Sequence, residues 1–211
     1  MNLFSQPFAQ TLTHFKHQQA SLSGILRGLE KESLRITPDG TLSQLPHPQT
    51  LGSALTHPNI TTDYSEALLE FITAPHANTQ SLLQELRDIH RYTAAQLIPQ
   101  QEILWPASMP CKLGSDEQIP IAQYGKSNSG HMKMVYRQGL GHRYGRAMQT
   151  IAGIHYNFSL PDSFWQALQA YYQDNSSLQE FKNCGYFALI RNFRRYFWLL
   201  IYLFGASPAV C

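Results

Sequence analysis

No apolar run in this chain is long enough to cross a bilayer. The longest, residues 196–204, holds nine apolar residues behind Arg191, Arg194 and Arg195, whereas a spanning helix needs roughly 20, so no membrane partner is expected. Cysteine is scarce: the three residues, at positions 111, 184 and 211, are odd in number and far apart. That excludes a disulfide framework and the Cys-x-x-Cys spacing of a zinc site. Residues 1–8 lack a basic region followed by an apolar segment, so no secretory leader is expected, and a cytoplasmic location follows. Charge of one sign is wanting too. Sixteen Lys and Arg face 14 Asp and Glu, for a formal net charge of +2, and their scatter leaves no basic footprint for nucleic acid. Two nucleotide-loop patterns fail: the first glycine of a phosphate loop around Gly125-Lys126-Ser127 is absent, with Pro120 and Ile121 in its place, and Gly139, Gly141 and Gly145 miss the dinucleotide spacing by one residue.

What is present is a chain of 211 residues, 12% aromatic and only 14% charged, which suits one packed, enzyme-like domain over residues 1–211. Its organising stretch is residues 24–36. With a period of two, Leu26, Gly28, Glu30, Glu32, Leu34 and Ile36 share a face, which predicts a strand carrying two carboxylates in an apolar row. A helix fits worse, because Gly24 and Gly28 would each cost about 1 kcal/mol relative to Ala. Half-buried carboxylates need a counter-charge, and a divalent cation is the simplest. A solvated charged patch would give the same Glu-Lys-Glu tripeptide.

Residues 60–73 read as a second strand, with Leu68, Glu70 and Ile72 on one face, Asp63 upstream, and Glu66 exposed. Residues 153–160 alternate most clearly, setting Ile154, Tyr156, Phe158 and Leu160 against His155, Asn157 and Ser159. A half-exposed antiparallel strand would look the same. A sheet bearing Glu30, Glu32, Glu70 and His155 on one concave face, however, would hold a metal cluster.

The remaining periodicity predicts scaffold. Phe4, Phe8, Leu12 and Phe15 mark an amphipathic first helix within residues 4–23, and Pro38-Asp39-Gly40 marks a turn returning through residues 41–45. A helix is expected over residues 78–98, opened by a capping box from Ser81 to Gln84, and an irregular connection over residues 105–130. A helix over residues 131–148 interleaves Lys133, Tyr136, Arg137, Arg143, Tyr144 and Arg146, suited to phosphates or carboxylates, or to a solvated face. Residues 162–172 form a short helix, and residues 178–204 a buried core helix stopped by Gly205 and Pro208.

Six motifs then recur in order: Gly-Leu-Glu30-Lys-Glu32-Ser-Leu-Arg, Thr-Asp63-Tyr-Ser-Glu-Ala-Leu-Leu-Glu70-Phe-Ile-Thr, Gln-Tyr-Gly-Lys-Ser-Asn, Met-Val-Tyr136-Arg137-Gln-Gly-Leu, Arg-Tyr-Gly-Arg-Ala-Met-Gln149-Thr-Ile and Gly-Ile-His155-Tyr-Asn-Phe-Ser. Together they resemble the bacterial glutamate-cysteine ligases, over about residues 20 to 211. The resemblance implies an α+β fold of glutamine synthetase type: a curved antiparallel sheet with outer helices, incomplete in this chain. It implies ATP-dependent joining of the L-glutamate side-chain carboxylate to the L-cysteine amine through a γ-glutamyl phosphate, the first step of glutathione synthesis, with Mg2+ or Mn2+. Glu30, Glu32 and Glu70 would be catalytic and, with His155, metal ligands. Asp63, Tyr64, Tyr136, Arg137 and Gln149 would bind substrate. Members of that family are much longer, so the resemblance also implies an N-terminal portion that is inactive by itself. Another ATP-dependent carboxylate-amine ligase of the same fold, and a non-catalytic module, are the alternatives.

Overall fold

The structure is a computed structural model that describes residues 8–16 and 22–205. They fall into two compact units, one formed by Leu26–Ser159 and the other by the chain on either side of it.

The larger unit is built on an antiparallel sheet centred on strand β1 (Leu26–Ile36), which is the strand the alternation predicts. Strand β2 (Ile60–Thr62) forms a hairpin with β3 (Leu68–Ile72), and β3 pairs with one edge of β1. On the other edge, the two-residue β4 (Ile103–Leu104) pairs with Arg35 and Ile36, and β5 (Ile154–Ser159) pairs with residues 26–31. The expected single strand over residues 60–73 is therefore two strands. The Ser65 hydroxyl accepts the Ala67 N–H and the Ser65 carbonyl accepts the Leu68 N–H, so local bonds fold the chain back where a continuous ladder was expected. The turn also reverses the expectation for Glu66, which is buried because its carboxylate accepts the N–H groups of His47 and Gln123. The return expected over residues 41–45 amounts to one bridge, Leu42 to Ile36, after which Ser43 turns to bond Glu102.

The two sheet faces are treated differently. Helix α2 (Thr79–Leu97) covers the face of Ile60, Leu69 and Phe71, supplying Leu86 and Ile89 to that core. Its N-cap is Asn78, whose side chain accepts the Ser81 N–H at 2.8 Å, so the box expected at Ser81 lies inside the helix. The opposite face is apolar only where β1 ends: Leu34 and Ile36 pack with Tyr64, Leu68 and Ile119. At the other end of that row stand the carboxylates. Helix α3 (Asn128–Tyr144) begins three residues earlier than expected because Ser127 caps it through the Gly130 N–H, and it stops at Gly145, whose φ of 79° is left-handed.

The smaller unit contains α1 (Phe8–Phe15), α4 (Asp162–Tyr172) and α5 (Leu178–Phe204). Trp165, Leu168 and Phe181 form its core, with Phe15, Phe164 and Tyr186 against them. The expectation of a buried last helix is corrected beyond its first turns. From Phe187 onward its large apolar residues are exposed, Trp198 by 60% and Phe204 by 81%, because α4 engages only the first part of the helix, around Phe181 and Gly185. Phe4, Pro208, Cys211 and the Phe8 side chain lie outside the described residues. Among the described residues, no helix is long and apolar enough to cross a membrane.

Candidate carboxylate site

The register of the sheet assembles the site. Glu32 of β1 lies directly opposite Glu70 of β3, and Glu30 lies opposite His155 of β5. Cross-strand partners project to the same side, so the three carboxylates, His155, Asn157 and Thr61 share one face. Asp63 continues the hairpin one step past the β2 ladder, its N–H bonded to the Leu68 carbonyl. Lys31, adjacent in sequence, points to the opposite face and donates to the Ser33 hydroxyl at 2.5 Å. It therefore does not neutralise the glutamates.

Hydrogen bonds fix individual oxygens. One Glu32 oxygen accepts the Gly153 N–H at 2.7 Å, and the other is 3.9 Å from His155 Nε2. One Glu30 oxygen accepts the Asn157 amide at 2.7 Å, and the other is 3.4 Å from His155 Nδ1. A Cβ on Gly153 would lie 2.9 Å from His155 Nε2 and 3.5 Å from Glu32 Oε1, so this position must stay without a side chain for the imidazole to keep its place. A cavity of about 240 Å3 bordered by Gly28, Glu30, Ile72 and Asn157 adjoins the row. A larger one of about 940 Å3 lies away from it, against α2, near His57, His76 and Tyr92.

The face is electrostatically unsatisfied. Burial first, then the carboxylates of Asp63, Glu32 and Glu30, push Glu70 up to about 7. Burial likewise raises Glu32, opposed by the Gly153 N–H. Hard oxygen donors with excess negative charge suit a divalent cation, and an imidazole beside them suits a borderline one such as Mn2+. In charge and donor type the residues fit. They are not drawn into a closed cage: among the described residues, no three His, Cys, Asp or Glu side chains are grouped closely enough to hold an ion.

The other expected site residues are placed unequally. The Arg137 guanidinium stacks on the Tyr124 ring at 4.7 Å while its Nε donates to the Asp63 carbonyl at 2.5 Å. Tyr124 in turn donates to the Thr62 carbonyl at 2.6 Å. Arg137 is thus tied to the segment that presents Asp63. Tyr136 is exposed on α3, and Gln149 is half-buried in the short 3-10 turn of residues 147–150. Tyr64 is only 1% exposed and belongs to the core, its hydroxyl beneath Gly141 and without a hydrogen-bond partner among the described residues. Three contributors escaped the sequence reading as site residues. Asn157 shares the parity of His155 and could have been found from it. Gly153 and Tyr124 act through a backbone N–H and a ring face, which leave no charged signal.

An antiparallel sheet, helix-covered on one side and carrying a row of carboxylates on the other, defines an α+β protein with an anionic face, the fold class the motifs implied. A family model described as glutamate-cysteine ligase matches residues 11–211, and the chain belongs to that family. It is 62% identical over 192 residues to the glutamate-cysteine ligase of Alcanivorax borkumensis and 54% identical over 203 residues to that of Edwardsiella ictaluri. These alignments cover 91% and 96% of this chain but 36% and 38% of the relatives, so the chain spans little more than a third of their length. Among solved structures, it resembles the Francisella tularensis glutamate-cysteine ligase in complex with AMP, with a TM-score of 0.79 and 43% identity over 88% of this chain and 36% of that one. It also resembles a bifunctional glutathione synthetase from Pasteurella multocida, with a TM-score of 0.83 and 34% identity over 95% of this chain and 26% of that one.

Proposed function

We propose that this chain is the N-terminal part of the catalytic domain of an ATP-dependent glutamate-cysteine ligase, acting in the cytoplasm. The observation that supports it is the pairing of Glu32 with Glu70 and of Glu30 with His155 on one open face of the sheet, in a chain of this family. The reaction needs two displacements. A side-chain carboxylate oxygen of glutamate attacks the γ-phosphorus of ATP and expels ADP. The cysteine amine then attacks the resulting acyl phosphate, loses a proton and expels phosphate, leaving an amide.

Glu30, Glu32, Glu70 and His155 would hold Mg2+ or Mn2+, which when bound supplies the positive charge that phosphoryl transfer between anions requires. The chain's own residues do the positioning. The Gly153 N–H aims one Glu32 oxygen, and Asn157 aims one of Glu30. Arg137, held against Tyr124 and the Asp63 carbonyl, places fixed positive charge beside Asp63, suited to orienting an amino acid by its carboxylate while Asp63 meets an ammonium. Tyr136 and Gln149 would line the remainder of the amino-acid site. Tyr64 would act from below, by packing, since its ring is buried. Loss of a single preorganised contact of this kind costs on the order of 10²-fold in rate.

The test is a chimera in which this chain replaces the matching 36% of the Alcanivorax relative. Mass spectrometry should detect γ-glutamylcysteine from ATP, glutamate and cysteine, and Glu32→Gln should abolish it. A folded chimera that joins glutamate to another amine in preference to cysteine would overturn the assignment.

A further inference from the structure

The Tyr124 ring carries two cations. Lys133 Nζ lies 5.0 Å and the Arg137 guanidinium 4.7 Å from its centroid, one turn apart on α3. Arg137 Nη1 also donates back to the Lys133 carbonyl at 3.0 Å. Among the described residues, neither cation has a carboxylate within ion-pair distance. Like charges at this spacing repel. The negative face of an aromatic ring offsets part of that cost, but it leaves the pair without an anion. The ring itself is held in place. It is buried, its hydroxyl donates to the Thr62 carbonyl at 2.6 Å and accepts the Thr62 hydroxyl at 3.1 Å, and the N–H of Gln123 beside it is bonded by the buried Glu66 carboxylate at 2.7 Å. Helix α3 sits directly on the Tyr124 backbone: a Cβ on Gly130 would lie 2.5 Å from the Tyr124 carbonyl oxygen, an approach that only glycine admits.

We propose that Tyr124 is a positioning residue of the amino-acid site, and that the two cations it seats, Lys133 with Arg137, form a clamp for the carboxylate of an amino-acid substrate. An amino acid carries a carboxylate and an ammonium on one carbon, so its recognition needs a cation and an anion held at a fixed separation. Tyr124 supplies that separation. Its face seats the cations of α3, and its hydroxyl is bonded to the Thr62 carbonyl and lies 3.1 Å from the Asp63 carbonyl, at the end of the strand that presents Asp63. Lys133 thereby joins the site as the second cation of the pair. A phosphate would also answer to two cations, but the Asp63 carboxylate beside them favours a zwitterion over a multiply charged anion. The identity of the substrate rests on the ligase reading above; the role of the ring does not.

Kinetics of the chimera test the clamp. Tyr124→Leu removes the ring and should raise KM at least about tenfold for glutamate or for cysteine, with KM for ATP within about twofold of the parent. The amino acid whose KM rises is the one whose carboxylate is held. Tyr124→Phe keeps the ring and should keep that KM near the parent value. Lys133→Met should raise the same KM, and Lys133→Arg should restore most of it. A merely structural tyrosine would move all three KM values together or none of them, and either result would overturn the proposal. So would a Phe variant whose KM rises as far as that of Leu. Phenylglyoxal, which modifies arginine side chains, gives a readout that needs no turnover and works on this chain alone. Mass spectrometry should find Arg137 modified at least about tenfold faster in Tyr124→Leu than in the parent or Tyr124→Phe, while the buried Arg35 stays unreactive. Equal rates at Arg137 would overturn the role of the ring. If Arg35 becomes reactive, the Leu variant has unfolded and the Lys133 pair decides: an unchanged amino-acid KM in Lys133→Met overturns the clamp. A chimera that makes no γ-glutamylcysteine, in a chain whose Arg137 still shows the difference, would sink the ligase reading and leave the role of Tyr124 standing.

Discussion

A residue's worth here depends on what is left unpaired when it changes. Arg35 is fully buried, its Nη1 2.6 Å from Glu102 and its Nη2 donating to the carbonyls of Leu45 and Glu66. Arg35→Met alone strands the buried Glu102 charge and should cost about 3–5 kcal/mol in urea unfolding, whereas Arg35→Met with Glu102→Leu should cost much less. Equal losses would show that the ion pair itself, and not its orphaned half, supplies the stability. His47 gives a pH dependence. Burial first, and Arg35 further, hold its pKa below the usual range, against the pull of Glu66. The folded state therefore prefers neutral His47, and the unfolded chain binds the proton more readily. Stability from this site is present above about pH 6.5 and is lost as pH falls below it. His90 is lowered in the same direction, by burial. The melting temperature of His47→Gln should therefore fall less than that of the parent between pH 7.5 and 5.5, and the addition of His90→Gln should flatten it further. Parallel curves would remove both histidines from the account.

At the scale of the element, the carboxylate face was legible in sequence because period-two alternation is a local rule. Glu30 and Glu32 share a parity with Leu34, and Glu70 shares one with Leu68, so each strand announced its own polar interruption. Two things were not local. The register that sets Glu32 against Glu70 depends on where the hairpin turns, and Ser65 decided that with side-chain and backbone bonds that the strand pattern concealed. The burial of Glu66 and Arg35 depends on partners up to 67 residues away, such as Glu102. The helices show the same division: the span of α2 was readable from periodicity, but the ends of α3, the N-caps at Asn78 and Ser127 and the exposure of α5 depend on geometry and neighbours. The contact of α4 with α5 gives a test. A Cβ on Gly185 would lie 2.3 Å from Trp165 Cζ3. Helix propensity favours Gly185→Ala by about 1 kcal/mol, but overpacking costs about 1–3 kcal/mol, so the variant should be less stable and its near-ultraviolet tryptophan signal altered. A gain in stability would show that the ring moves aside freely.

For the whole molecule, two exposed features point the same way. The apolar residues of α5 beyond Phe187 and the free edge of β5 are surfaces that soluble proteins keep covered. By itself this chain should self-associate in light scattering and form no γ-glutamylcysteine; a monomer that turns over ATP, glutamate and cysteine would contradict both expectations. Glu30, Glu32, Glu70 and His155, which share one side of the sheet, are proposed to form one cation-holding face. Fe2+ with ascorbate and peroxide cuts backbone close to where the ion sits, and mass spectrometry reads the cuts even in an associated sample. Cleavage should concentrate at residues 30–32, 70 and 153–155, should be suppressed by Mg2+ or Mn2+, and should fall at least about tenfold in Glu32→Gln with the fold retained by circular dichroism. Cuts elsewhere, or cuts at these positions that Glu32→Gln leaves unchanged, would contradict the claim.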